Sequence, residues 1–528
     1  MKHVGVYRSL ALALAIAVSS VQFANAEQKN EMVWGELLPE TLDPHLASHS
    51  QMQFYMLNTY DGLYRYEGNP PQVVPWLATA HEVSQDGKTW TFKLRKDVQF
   101  HDGTVLDSSD VVYSFRRLLA MGRGPASAFS SYLKPENISA PDNETVRFVL
   151  NERYAPFLSA LPLVSIVNEG LLSSHQVGND WGAAWLSSNE AGSGAYALDT
   201  KTYRPLEAMD VHRFAEHFHG WSDNPRPIET VRVRPSKETS TSVLVLLKGA
   251  IDATDSFLPP DQVKRVEADE GLRVSKDESM RILVIRMNNK KPPFDNVNFR
   301  KCLSYAFNYD GYIAAILQGY AVRNPGPIPQ NLWGAPKDLE GYTFDMSKAK
   351  EFCDRAKAEG APIDRKLKLF APSEHVQMAQ TGQVLQAETR KLGLDIEIIP
   401  ATFPSLAGSM GTPESTPDMW VHWVSTYFAD PENWIGQMYD SRYHGTWKAS
   451  SWYENAQVDE ILGKARSALS QEDRRSLYEE ASRIIVKDAA DIWVYNTIQL
   501  RGINKRVNNF HFTPVGAGGE LRWMSLGQ

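Results

Sequence analysis

The sequence predicts a mixed α/β fold in three regions, one small and strand-rich and two in which strands and helices alternate. Three observations carry this. The chain has 528 residues, enough for about two to four domains. Strict alternation of apolar and polar residues at 89–94, and a β-rich run at 145–150, mark half-buried strands. Residues 367–398 read strand–helix–strand, the pattern of a right-handed crossover unit.

The chain opens on a targeting signal. Lys2 and Arg8 flank the start of a short apolar run at 10–18, and Ala24-Asn25-Ala26 places small residues before Glu27. This pattern predicts a secretory leader cut after Ala26. The run is shorter than the roughly 20 apolar residues that span a bilayer, and no cysteine near the cut suggests a lipid anchor. A soluble mature protein outside the cytoplasm is expected. Apolar residues make up 42% of the chain and charged residues 22%, with a net charge of −8. This is ordinary globular composition and favours neither nucleic acid nor an anionic membrane as partner. Cys302 and Cys353 are the two cysteines. Each lies in a helical-looking stretch, so free, buried thiols are expected, with a disulfide as the alternative open to an exported protein.

The elements follow in order. A strand at 31–37 leads through a Pro- and Asp-rich turn to a helix at 51–61 that stops at Gly62. The Asp86-Gly87 turn feeds the strand at 89–94 as a hairpin. Asp107, Ser108 and Ser109 cap a helix at 111–119. A strand at 145–150 precedes a helical stretch from 154. Gly192-Ser193-Gly194-Ala195-Tyr196 lacks the Lys-Ser/Thr and the spacing of a phosphate loop, and reads as a backbone turn into a strand at 196–198. A strand at 229–234, a helix at 239–247 and a short strand after Gly249 form one αβ unit. Residues 280–287 are almost wholly apolar, as in a strand central in a sheet. Residues 288–294, rich in Asn, Lys and Pro, read as a hinge or domain boundary. Helices are expected at 298–306, 310–316 and 345–359. The crossover unit then places strands at 367–370 and 395–398 around a helix at 375–392. Helices at 457–468 and 471–487 and strands at 493–500 and 510–512 complete the chain.

One stretch concentrates recognition chemistry. Residues 419–447 carry Trp420, Trp423, Tyr427, Phe428, Trp434, Tyr439, Tyr443 and Trp447 among Asp430, Glu432, Asn433, Asp440 and His444. The aromatics keep no sustained period, which predicts a strand running into a long aromatic-lined loop. Rigid rings with polar neighbours suit a ligand cleft, and also suit packing at a subdomain seam. Catalysis has no comparable signal. His101 and Asp102 are adjacent, point apart and read as turn structure. Neither GxSxG nor HExxH occurs. No enzyme, metal site or cofactor is expected.

The chain resembles the family 5 extracellular solute-binding proteins, the periplasmic dipeptide- and oligopeptide-binding components of ABC importers. The resemblance is carried by Leu42-Asp43-Pro44-His45, Tyr60-Asp61-Gly62-Leu63, Pro75-Trp76-Leu77-Ala78, Thr91-Phe92-Lys93-Leu94-Arg95 and Val98-Gln99-Phe100-His101-Asp102-Gly103-Thr104. Asp110-Val111-Val112-Tyr113-Ser114-Phe115, the Gly192–Tyr196 turn and Pro293-Phe294-Asp295-Asn296-Val297 with Arg300 and Ala306 extend it along the chain.

The resemblance implies a two-lobed periplasmic binding protein, type II and cluster C-like, with an additional domain, three domains in all. Domain I would be 27–70, 190–280 and 488–528, domain II 71–189 and domain III 281–487. It implies a monomer that captures a solute, a di- or oligopeptide first, and delivers it to an inner-membrane ABC permease. An opine-like or sugar-conjugated amino-acid derivative is the alternative solute, and a chaperone-like or sensory role a further one. Trp423, Thr426, Tyr427, Asp430, Trp434 and Trp447 are the candidate ligand-binding residues. Peptide-binding members carry an Asp three residues after a Trp here, pairing with the peptide ammonium. This chain has Thr426 in that place and Asp430-Pro431 further on. Asp430 is therefore either a shifted ammonium anchor or the cap of the segment that starts at Pro431.

Overall fold

The computed structural model describes residues 30–46, 52–236, 239–373, 375–515 and 519–527. The expected leader, 1–26, lies outside them. Helix starts follow from local chemistry. Asp107 accepts from Ser109 N while Asp110 reaches back to the Asp107 N–H, a capping box that opens Ser108–Met121. Asn296, Asp345, Asn455 and Ser470 cap Val297–Ala306, Met346–Ala358, Ala456–Ser467 and Gln471–Lys487.

Three sheets organise the described residues. In the first, Glu31–Glu36 pairs in parallel with Thr230–Pro235, followed by Met209–Arg213 and Tyr196–Leu198. In the second, Ala78–Val83, Thr89–Leu94, Thr145–Val149 and Ile138–Asp142 form an antiparallel sheet. The third has six strands in the order Ala321–Arg323, Asp491–Asn504, Leu272–Met287, Met419–Val424, Leu367–Pro372 and Ile396–Ala401. Its last two strands are parallel and flank the helix Val376–Arg390, the expected crossover.

Each sheet has its own core. Trp34, Phe54, Tyr196 and Val231 belong to the first, and Phe92, Phe115, Phe148 and Phe157 to the second. The third is covered on both faces. Leu283, Ile285 and Met287 pack into one cluster, while Met280, Ile282 and Val284 pack into another. Two covered faces explain why this strand is apolar at successive positions rather than alternating.

Several expectations are corrected. The strand expected at 280–287 runs from Leu272 to Met287. Its polar first half pairs with Asn504–Ile498, the register shifts between Glu278 and Ile282, and the apolar half pairs from Asn496 onward. These two long strands carry the chain from a small cluster around Val243, Leu246 and Val266 into the third sheet. Residues 288–294, expected to be a hinge or domain boundary, hydrogen-bond to segments around that sheet. Asn288 N donates to Asp418 O, Asn289 N to Ser451 O and Asn289 Nδ2 to Ala490 O. Residues 510–512 form no strand; Phe510 packs near Trp34, with ring centroids 6.1 Å apart. The cysteines are bridged, Cys302 to Cys353, because the helices that carry them pack side by side and bring their Cα atoms within 5.1 Å. Gly192 and Gly194 are required by close approach rather than by a turn. A Cβ at Gly192 would lie 2.0 Å from Thr59 O, and one at Gly194 2.5 Å from Thr59 C.

Candidate functional site

The helix Met52–Thr59 runs into Tyr60-Asp61-Gly62, and the following strand Tyr64–Glu67 brings Arg65 and Tyr66 alongside Trp76. Opposite lie Tyr427, Phe428 and Trp447 of the aromatic stretch after Met419–Val424, and Lys448, which directly follows it. These two walls enclose a cavity of about 360 Å³, with further lining from 122–125, 127–128 and 162–165, from Ala195 and His217, and from Thr513, Val515, Glu520 and Arg522 near the chain's end.

The carboxylates of this cavity are committed to the protein. Asp61 accepts from Trp76 Nε1 at 2.6 Å and from Ser193 Oγ at 2.7 Å, and lies 3.6 Å from His217 Nε2. Burial alone raises a carboxyl pKa, but His217 and the hydrogen bonds outweigh it and hold Asp61 down at about 2. Glu520 is paired with Arg65 and accepts from Trp523 Nε1 at 2.8 Å. The Arg65 guanidinium lies 4.4 Å from the Trp76 ring centroid, so this pair is stacked as well as charged.

The cations are committed less evenly. Arg522 pairs with Asp223 at 3.2 Å. Lys448 is half-buried, hydrogen-bonds Gln437 Oε1 and sits 5.6 Å from the Tyr427 ring, with no carboxylate in ion-pair range among the described residues. Burial pushes its ammonium down to about 8, against the weaker pull of Glu432.

The six residues expected from sequence divide three ways. Tyr427 and Trp447 line the cavity. Trp423 and Thr426 lie away from that lining. Trp423 packs against His375 and Phe257 at 5.0 and 5.9 Å, and Arg281 lies 4.6 Å from Phe257 and 4.7 Å from Trp423. Trp423 Nε1, Thr426 Oγ1 and Arg281 Nε are buried without a protein partner among the described residues. Asp430 and Trp434 are interior, at 0% and 1% exposure. Trp434 is part of the core beneath the third sheet. Asp430 accepts from Glu432 N, capping Pro431–Asn433, forms an ion pair with Arg474 at 2.6 Å and accepts a long hydrogen bond from Ser159 Oγ at 3.5 Å. Neighbouring Glu432, pushed up to about 7 by burial against the opposing field of Arg466, completes a buried charged cluster with Asp440, Arg466 and Arg474. The anionic part of this stretch therefore braces the loop from inside.

Sequence reasoning passed over Asp61, Arg65, Trp76 and Lys448. Asp61 and Trp76 stand within motifs read for resemblance alone. Lys448 directly follows the aromatic stretch, and no local pattern sets it apart from a surface lysine. His101, read as turn structure, binds Glu190 Oε1 at 2.6 Å and Gly194 O at 2.8 Å, which ties the glycine-rich segment in place. Among the described residues no group of His, Cys, Asp and Glu is arranged to hold a metal ion, and no helix is long and apolar enough to cross a membrane.

Residues 72–445 match the family described as Bacterial extracellular solute-binding proteins, family 5 Middle. The chain is 30% identical over 523 residues to the probable D,D-dipeptide-binding periplasmic protein DdpA of Escherichia coli K12, covering 98% of each protein. It is 25% identical over 535 residues to the dipeptide-binding protein of the same organism, covering 97% of this chain and 98% of that one. Among solved structures it shares its fold with the ABC transporter-associated periplasmic binding protein DppA from Helicobacter pylori in complex with peptide STSA. The TM-score is 0.81 and the identity 24%, over 94% of this chain and 98% of that one.

Proposed function

This chain belongs to the bacterial extracellular solute-binding proteins, family 5, and from that premise we propose that it captures a di- or oligopeptide and delivers it to the permease of an ABC importer. It is a binding protein and not an enzyme, as its family membership states. The observation that carries the peptide reading is the cavity of about 360 Å³ enclosed by two separate walls, one of them aromatic. That volume is at the small end of ligand sites, which run from about 300 to 1,000 Å³, and suits a dipeptide better than a long peptide. The two similar proteins named for dipeptides point the same way.

On this reading the mature chain starts at Glu27 and works as a monomer in the periplasm. The first sheet with 27–70, 190–280 and 488–528 is one lobe, 71–189 an accessory domain and 281–487 the second lobe. Three separate cores support three regions, and the long strand Asp491–Asn504 joins two of them, with Ile492, Val494 and Tyr495 packed in the third core and Ile503 in the first. Tyr427 and Trp447 are the aromatic contacts for the solute.

A second reading, an opine-like or sugar-conjugated amino-acid derivative, is favoured by one observation: neither Thr426 nor the Arg474-paired Asp430 offers a free carboxylate for a peptide ammonium. Thermal unfolding against a panel of dipeptides, tripeptides, opines and sugars tests the choice. Dipeptides at about 100 times Kd are expected to stabilise the fold by about 2.7 kcal/mol. A response to opines or sugars with none to peptides overturns the peptide reading.

A further inference from the structure

The cavity pairs its charges unequally. Both of its acidic side chains have a basic neighbour, Asp61 beside His217 and bonded by Trp76 and Ser193, and Glu520 paired through Oε2 with Arg65 and bonded there by Trp523. The acid that the sequence offers next to the aromatic wall, Asp430, is fully buried and bound to Arg474. A solute ammonium entering this cavity meets, among the described residues, only carboxylates whose charge already faces a basic side chain, His217 at Asp61 and Arg65 at Glu520. A solute anion meets Lys448. That ammonium has three N–H donors, and Gln437 takes one of them. It stands on the same wall as Tyr427 and Trp447. Arg123, exposed and also lining the cavity, adds positive charge there with no carboxylate in ion-pair range among the described residues.

We propose that the solute bound in this cleft carries an anionic group, a carboxylate by chemistry, that docks on the Lys448 ammonium, and that Lys448 rather than an acidic side chain is the charged anchor of recognition. This rests on the cavity being the solute site, as proposed above. A partly desolvated ammonium is short of both counter-charge and hydrogen-bond acceptors, and a carboxylate supplies the two together. The downward push on the Lys448 pKa has the same origin, because burial disfavours a cation that lacks a partner. The neighbouring Tyr427 and Trp447 rings would cover the apolar part of such a solute while Gln437 holds the ammonium in position.

The test uses the full mature protein and three probes: D-alanyl-D-alanine, its N-acetyl derivative and its C-terminal amide. Calorimetric titration is expected to show that N-acetylation is tolerated and that amidation weakens binding by at least about 30-fold. Lys448→Met should bring the affinity for the free carboxylate down to that for the amide, while Lys448→Arg keeps most of it. Unchanged circular dichroism and melting midpoint in the Met variant separate lost binding from lost folding. Equal affinity for carboxylate and amide, loss on N-acetylation with tolerance of amidation, or full affinity in Lys448→Met overturns the proposal. If none of the three probes binds, the peptide reading fails, and mass spectrometry of the solute released by denaturing the purified wild-type protein decides the present one. An anionic non-peptide solute supports it, and a neutral or purely cationic solute overturns it.

Discussion

Replacing Asp430 by asparagine leaves the Arg474 guanidinium, itself 5% exposed, without its carboxylate. Breaking one side of a buried ion pair costs about 3–5 kcal/mol, and asparagine still caps the turn at Pro431. Asp430→Asn is therefore expected to lose roughly that stability in urea unfolding, and Asp430→Ala about 0.5–2 kcal/mol more with the cap gone. Solute affinity below the unfolding transition should be unchanged in both. An Asp430→Asn protein that is fully stable but fails to bind would return Asp430 to the role of ammonium anchor. His101 gives a pH-dependent counterpart. Burial disfavours its charged form, yet the adjacent Glu190 carboxylate and the Gly194 carbonyl outweigh burial and raise its pKa above the ordinary value of 6.5. A histidine whose pKa is raised by folding stabilises fully below the unfolded pKa, and that contribution is lost as pH rises through the folded one. The melting midpoint of His101→Gln should thus lie furthest below wild type near pH 6, with a gap that narrows toward pH 9. A gap that widens with pH would contradict the charged pair.

At the scale of elements, the cystine joins the helices Val297–Ala306 and Met346–Ala358 across a sequence separation of 51 residues. Closing a loop of that length restricts the unfolded chain by about 4 kcal/mol in the chain-entropy description. The Cys302→Ser/Cys353→Ser double variant should lose up to this amount in urea unfolding, and unreduced denatured wild-type protein should titrate no thiol. Two reactive thiols in that assay would remove the bridge from the fold. The long strands Leu272–Met287 and Asp491–Asn504 are the other organising elements. Their register shift between Glu278 and Ile282 interrupts the ladder just where the chain passes from one core to the next. Bending is easiest where ladder bonds are missing, so any motion between the cores is expected to centre there rather than at 288–294.

Across the whole molecule, contacts gather Glu31–Gln528 into one unit, and a few hydrogen bonds link Tyr66, Tyr132 and 155–159 to the aromatic loop and to the helix Ala456–Ser467 that follows it. Ala429 N donates to Tyr66 OH at 2.9 Å, the Tyr66 hydroxyl donates to Ser159 O, and Ala155 N donates to Arg466 O at 2.7 Å. Tyr132 and Tyr443 meet through their hydroxyls at 3.1 Å. Tyr66→Phe removes the hydroxyl at the centre of this set and strands the buried Ala429 N–H, a loss of about 1–3 kcal/mol. If these contacts hold the cleft shut around solute, the variant should bind more weakly and show a larger radius of gyration by small-angle scattering when solute is present. An unchanged radius together with unchanged affinity would show that the contacts have no part in closure.

Much of this architecture is legible in the chain without its neighbours, because it rests on interactions between residues close in sequence. Asp107 and Asp110 announce the helix Ser108–Met121, and the alternation at 89–94 announces a strand with one covered face. The apolar run at 280–287 announces one covered on both. The density of rings at 419–447 marks the loop that supplies one wall of the cavity. Other features depend on partners that the fold brings from far away. Asp430 and Arg474 are 44 positions apart, and nothing local tells a capping aspartate that is also ion-paired from one that is free to bind solute. The polar half of Leu272–Met287 carries no apolar signal because its stability comes from pairing with Asn504–Ile498. Gly192 and Gly194 look like turn residues until the backbone of Thr59 is placed against them. Lys448 is one more lysine in the sequence, and it becomes a candidate anchor when burial and the commitment of every nearby carboxylate are known. Local propensity acts through the chain itself, whereas charge pairing, close approach and the shape of a cavity belong to groups that meet after folding.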